Sequence, residues 1–114
     1  MLGGGMRQVG VIAAAARVAV DSMVDRLHDD HVNARRLADG IASFWGDAID
    51  PASVETNIVY LECGERDPLE IIRRVGERGV KVAPMTRGRI RCVTHKDVDA
   101  AGVERAIEAF KAAI

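Results

Sequence analysis

Aromatic residues make up only 4% of the 114 positions, which excludes a core of stacked rings. The interior must come from Ala, Val, Ile and Leu instead. An excess of either charge is absent too: 16 Lys and Arg stand against 17 Asp and Glu, a net charge of -1. That balance gives no electrostatic reason to expect nucleic acid or an acidic membrane surface as partner. No apolar run is long enough to span a bilayer. The start lacks the basic region of a signal peptide, and Arg17 and Asp21 interrupt its apolar stretch. A cytoplasmic location is therefore expected. Cysteine is limited to Cys63 and Cys92, and in a cytoplasmic chain both read as buried thiols rather than a disulfide. What remains is 48% hydrophobic and 29% charged, an ordinary globular composition. The length allows one domain with a modest core.

The first residues organise the rest. Gly3, Gly4 and Gly5 in a row cannot sit inside a regular element, because glycine loses the most backbone entropy on ordering. They suit a sharp turn or a close backbone approach. Gln8 to Leu27 then reads as a proline-free, alanine-rich helix. Val9, Ile12, Ala13, Ala16, Val20, Met23, Val24 and Leu27 fall on one face at three- and four-residue steps. The other side, Val11 to Ala19, is nearly uncharged, and a helix apolar on both sides is buried on both sides. In so small a chain the second side is expected to face another chain or a further domain. The glycines, the helix N-terminus with its unpaired N–H groups, and Arg7 suit an anion. A flexible start to a core helix is the competing reading.

Further along, the pattern predicts a helix over Asp29 to Phe44, with Val32, Leu37, Gly40, Ile41 and Phe44 in one stripe. A turn over Gly46 to Glu55 and a strand over Thr56 to Cys63 follow. Asp67 and Pro68 are an N-cap and a proline at the first helical position. This helix runs to Arg78, buries Leu69, Ile72 and Val75, and stops at Gly79. Val80 to Ala83 is expected as a short strand, Pro84 to Gly88 as a turn, and Arg89 to Thr94 as a third strand. The last helix, Asp99 to Ala113, faces inward through Val103, Ala106, Ile107 and Phe110. The order predicts an α+β fold: long N-terminal helices plus a small three-stranded, largely antiparallel sheet covered by helices on one face. Residues 1–27 would be the glycine loop and a long interface helix, and 28–114 the helix and sheet subdomain.

Few residues stand out for chemistry. His28, Asp29, Asp30 and His31 form the one dense cluster of metal-ligand types. A zinc site wants converging ligands, whereas these fall at a helix junction where an Asp caps the next helix, so no metal is assigned. Arg91 lies mid-strand with Arg89 on the same face. An arginine there is usually a solvated residue, yet its rigid fork suits a carboxylate bidentately. His95, at the strand's end, has the pKa range of a general base, but beside a helix start a capping or packing role is the better reading. Asn57 reads as structural, and Lys96 as solvated.

The literal strings carry more than the spacings. Leu2-Gly3-Gly4-Gly5-Met6-Arg7-Gln8 followed by an Ala-rich helix resembles a segment of the threonine aldolases. These are pyridoxal-phosphate enzymes of the aspartate-aminotransferase fold type, and the segment lies shortly after their cofactor-binding lysine. Arg89-Ile90-Arg91-Cys92-Val93-Thr94-His95-Lys96-Asp97-Val98 resembles the family's R-x-V-T-H-x-D-V ending, with Cys92 and Lys96 at the variable positions. Thr56-Asn57-Ile58-Val59 resembles its T-N-I-V strand. The likeness runs from Leu2 to about Lys111.

The resemblance implies the C-terminal part of a low-specificity L-threonine aldolase, with the small C-terminal domain of that fold type. It implies Arg91 as the grip on the substrate's α-carboxylate. It implies Arg7 near pyridoxal 5'-phosphate or its phosphate group, reaching across the interface of a homodimer or homotetramer. The parent enzyme cleaves threonine or allo-threonine to glycine and acetaldehyde. Lys81, Lys96 and Lys111 sit in no segment like that of the cofactor lysine, so no catalytic residue is assigned here. The chain alone is expected to be inactive, its partner being an N-terminal large domain. Met1 aligns inside the family, so an internal methionine is expected there. The alternative is a non-catalytic α+β interaction module that self-associates through its apolar first helix. A small anion-binding domain built on the glycine loop has nothing else in its favour.

Overall fold

In the computed structural model, which describes residues 4–114, helix α1 spans Val9–Ser22 and α2 spans Leu27–Ala42. Two short 3-10 turns, Gly46–Ala48 and Pro51–Ser53, lead to β1 (Ile58–Glu62) and α3 (Pro68–Glu77). Strands β2 (Ala83–Met85) and β3 (Arg89–Val93) and helix α4 (Ala100–Ala113) complete the chain. The fold is α+β, as the pattern predicts. Met1, Leu2 and Gly3, where the sequence places the start of the glycine loop, lie outside the described residues. Gly4 and Gly5 are exposed, and nothing lies within 4 Å of where their side chains would begin.

The sheet has the order β1-β3-β2, and both pairings are antiparallel. β3 is central, pairing from Ile58↔Val93 to Glu62↔Arg89 on one side and from Ala83↔Arg91 to Met85↔Arg89 on the other. Strand alternation turns Val59, Leu61, Ile90 and Cys92 inward. There they meet Leu37 and Ile41 of α2, Val75 of α3, and Val103 and Phe110 of α4 in one core. The other face carries Tyr60, Glu62, Arg91 and Val93, all exposed. Asp67 caps α3 by accepting from the Leu69 N–H at 3.0 Å, with Pro68 beside it. Asp99 caps α4 by accepting from the Gly102 N–H at 2.7 Å. Gly40 lets α2 approach α4, since a Cβ there would lie 2.8 Å from Ile107 Cγ1.

The structure corrects several expectations. The first helix does not run to Leu27. It ends at Ser22, whose hydroxyl donates back to the Val18 carbonyl at 2.7 Å, a bond that competes with the helical ladder. α2 then starts earlier than expected, at Leu27, and ends at Ala42. No residue of α1 is buried, so neither of its apolar sides meets the core. Val32 is 51% exposed, because α2 turns Asp30, Ala34, Leu37, Ala38 and Ile41 inward, a face made largely of small residues. Leu69 is 64% exposed, and α3 anchors through the four-residue pair Ile71 and Val75. In α4, Val103 and Phe110 are buried as expected and Ala109 and Ala113 join them, while Ala106 and Ile107 pack at the margin.

The second strand is displaced as well. Val80, Lys81 and Val82 form no strand, and Ala83–Met85 does. Arg87 and Gly88, at φ 64 and 69, reverse the chain over Thr86–Gly88. That tight turn leaves Pro84 and Met85 free to pair. A proline is tolerated because β2 is an edge strand.

Candidate active-site residues

β3 fixes the candidate arginines. Alternation places Arg89 and Arg91 together on the sheet face opposite the helices. Arg91 stands directly across from Tyr60 on β1 and Ala83 on β2. The two arginines differ in their surroundings. Arg89 is engaged: its Nε lies 3.8 Å from Glu62 Oε1 and donates to the Thr86 carbonyl at 3.5 Å, and its guanidinium sits 5.5 Å from the Tyr60 ring centroid. Arg91 is exposed and has no hydrogen bond or ion pair to another described residue. It is a fork of donors on a strand paired on both sides, with the small Ala83 beside it.

The end of that strand is clamped. The Thr94 hydroxyl donates to the Asp30 carbonyl at 2.7 Å, and Asn57 Nδ2 donates to the Thr94 carbonyl at 2.7 Å. Asp30 itself is buried, and its carboxylate accepts from Arg26 at 2.7 and 3.2 Å. This hydrogen-bonded carboxylate raises the Arg26 pKa. Asn33 Nδ2 donates to the Val98 carbonyl at 3.1 Å, drawing the following loop onto α2 as well. The threonine and asparagine of the two sequence motifs therefore brace β3 against α2, three residues from Arg91. The sequence reading missed Arg26 and Asp30 as a pair, although their spacing of four on a helix was a visible signal.

The remaining candidates separate. Arg7 is exposed in the turn before α1 and makes no ion pair with another described residue. Gln8 provides no side-chain cap, and the first turn of α1 holds no acidic residue. Arg7 precedes α1, none of whose residues is buried, whereas Arg91 stands on the sheet face without helices. His28 and His31 are exposed. Among the described residues no group of three or more His, Cys, Asp and Glu could hold a metal ion. His95 is a turn residue, its Nδ1 accepting from the Asp97 N–H at 3.2 Å. Lys96 holds Asp97 at 2.8 Å, which keeps that carboxyl below its usual range. Cys63 and Cys92 are both buried free thiols, and burial pushes Cys92 up to about 12.

A donor fork and a lone helix-start cation can bind anions, but they cannot by themselves break a bond. Comparison with known proteins supplies the context. The sequence profile of the beta-eliminating lyases matches residues 1–64, more than half of the chain. A probable low-specificity L-threonine aldolase 2 of Arabidopsis thaliana is 41% identical over 114 residues, spanning 96% of this chain and 32% of its own length. The low-specificity L-threonine aldolase 1 of the same plant is 36% identical across 99% of this chain. The low-specificity L-threonine aldolase of Escherichia coli K12 is 34% identical over 86% of the chain and 28% of its own length. The chain thus spans about a third of the length of these relatives.

Proposed function

The chain belongs to the beta-eliminating lyase family, and on that premise we propose that it supplies the C-terminal part of a low-specificity L-threonine aldolase. In this reading Arg91 binds the α-carboxylate of a β-hydroxy amino acid such as threonine or allo-threonine, which is cleaved to glycine and acetaldehyde. The observation that carries it is the contrast on β3: Arg89 is tied to Glu62, Thr86 and Tyr60, whereas Arg91 is left with its whole fork free. A guanidinium held on a central strand binds a carboxylate bidentately and fixes its plane. Its exposure on the sheet face without helices leaves room for a large domain to close over it.

The donor set suits one end of the implied cofactor. Arg7 and the N–H groups at the start of α1, which no side chain caps, are of a kind that binds phosphate. No described residue offers a stacking partner for the ring in that place, and the cofactor lysine has no counterpart among Lys81, Lys96 and Lys111. Pyridoxal 5'-phosphate, when bound, supplies the electron sink for carbon–carbon cleavage. This chain's part is to hold anions: carboxylate at Arg91 and, reaching across the interface of a homodimer or homotetramer, phosphate at Arg7. The division at residue 27, assembly as a homodimer or homotetramer, and a cytoplasmic setting belong to the same proposal. No helix among the described residues is long and apolar enough to cross a membrane.

The test joins the chain to an N-terminal large domain of the family and follows acetaldehyde release. Replacing Arg91 by Ala should raise KM for threonine by about 10- to 150-fold, the loss of a charge-assisted contact worth about 1.5–3 kcal/mol. Cofactor absorbance should be unchanged. An unaltered KM would remove Arg91 from the site. The 114 residues alone should release no acetaldehyde.

A second reading has one observation in its favour. Val11 and Val20 on α1 are 71% and 70% exposed, as a self-associating, non-catalytic module requires. Sedimentation velocity decides it, since a monomer at high concentration rules that module out.

A further inference from the structure

Where β2 leaves β3, the sheet has a gap. The pairs Met85↔Arg89 and Ala83↔Arg91 form, but the next in that register, Lys81 opposite Val93, does not. The Thr94 N–H donates to the Asn57 carbonyl and the Cys63 N–H to the Gly88 carbonyl, both at 3.0 Å. Even-numbered positions along β3 therefore bond toward β1, and Arg89, Arg91 and Val93 turn their backbone groups toward β2. Val93 presents a donor and an acceptor to a place where no strand lies.

That departure opens a cavity of about 300 Å³ between the α3–β2 connection, the end of β3 and α4, within the size range of small-molecule sites. Its floor is apolar and buried: Leu37, Cys92, Val103 and Phe110. Its rim carries the cations Arg78, Lys81 and Arg105. None of the three has a side-chain hydrogen bond or ion pair to another described residue. Of the rim's two carboxylates, Asp97 is offset by Lys96 Nζ at 2.8 Å, and Asp99 keeps its charge while capping α4 at 2.7 Å, which leaves three cations against one carboxylate. An apolar floor, free cations at the mouth and an unused backbone N–H select a molecule with an apolar tail and one negative head.

We infer that this cavity binds a small aliphatic monocarboxylate, its tail on Leu37, Val103 and Phe110 and its carboxylate among Lys81, Arg105 and the Val93 N–H. The site lies on the helix-covered side of the sheet, apart from Arg91, and is independent of the aldolase reading. It would make the small domain responsive to a ligand other than a substrate held at Arg91.

The test uses the full chain, ¹⁵N-labelled, titrated with octanoate, 1-octanol and octylammonium. Octanoate should bind saturably with Kd below about 1 mM and shift the amides of Lys81, Val93 and Val103. Octanol should bind at least about tenfold more weakly, because it lacks the charge-assisted contact, and octylammonium should not bind. The double variant Lys81→Glu, Arg105→Glu changes two exposed positions, so its amide spectrum should show the fold retained while octanoate affinity falls about tenfold or more. Ala106→Trp, filling the cavity from α4, should abolish binding. Equal binding of the three probes, absence of saturation, shifts confined to α1, or unchanged affinity in the charge-reversed variant would each overturn the assignment. If the double variant fails to fold, the octanoate and octylammonium arms on the native chain still decide.

Discussion

Helices α1 and α4 are the same length, 14 residues each, and both are rich in alanine. α4 carries Glu104, Arg105, Glu108 and Lys111, yet buries Val103, Ala109, Phe110 and Ala113. α1 has only Arg17 and Asp21 as charges, yet buries nothing. The more apolar helix is the exposed one. The difference lies in how the apolar residues are arranged. α4 concentrates them on one face that fits α2 and α3, with Arg36 and Glu104 closing the rim at 2.6 Å. α1 is apolar nearly all round, so one sheet face could cover at most half of it. Apolar surface demands burial at about 25 cal/mol per Å², but it does not say against what. Exposed apolar patches of this kind in general mark interaction surfaces.

Substitutions on the two helices should break that symmetry of length. Phe110→Ala removes a fully buried ring from the core and should cost about 3–5 kcal/mol in urea unfolding. That is a large share of the roughly 5–15 kcal/mol that holds a domain of this size folded. Val11→Ala, on the exposed helix, should stay within about 0.5 kcal/mol in the same measurement. If both cost alike, α1 is covered within the chain in solution and the contrast disappears. Between these extremes lies the clamp at the start of α2. Arg26→Ala leaves the buried Asp30 carboxylate without its fork, and should cost more than Val11→Ala and less than Phe110→Ala. The effect should reach β3, because the Asp30 carbonyl holds Thr94, and amide exchange of Val93 and Thr94 should quicken with it.

A smaller change sharpens the other half of the comparison. Val11→Lys and Val18→Lys together should leave the unfolding midpoint of the domain nearly unchanged. They should shift any self-associated species toward monomer in sedimentation velocity, since both positions are more than half exposed. A midpoint that falls with the oligomer would tie the stability of the domain to its assembly.

The parts legible in sequence were those written locally. Asp67 and Pro68 announce α3, and the alternation of Ile90 and Cys92 with Arg89 and Arg91 announces β3. His95, read as a capping or packing residue, is instead exposed in the turn, where its Nδ1 accepts from the Asp97 N–H. What stayed hidden depends on partners distant along the chain. The Thr94 to Asp30 bond joins residues 64 apart, and no local spacing reports it. Val80 to Val82 has the β-branched pattern of a strand, but the left-handed Arg87 and Gly88 set the hairpin register and shift the pairing to Ala83–Met85. Arg91 was legible as a candidate. Its freedom relative to Arg89 was not, because that turns on Glu62 and Tyr60 across the sheet.

The smallest predicted effect separates α3 from α1 by pH. Glu70 accepts from Arg73 at 2.8 and 2.9 Å and from Arg74 at 2.8 Å. These hydrogen bonds, Arg73 first, hold its carboxyl at about 2 instead of the usual 4.5. A carboxylate depressed in the folded state contributes stability that is present above its unfolded value and lost as pH falls through the folded one. The α3 contribution should therefore be complete above pH 4.5 and disappear toward pH 2. Because these groups are on the surface, the contribution is small and screened by salt. Glu70→Gln should remove that part of the acid dependence: its unfolding midpoint should lie below that of the native chain at neutral pH and meet it near pH 2. Curves that stay parallel over the whole range would show that the two arginines give α3 nothing, leaving its anchoring to Ile71 and Val75 alone.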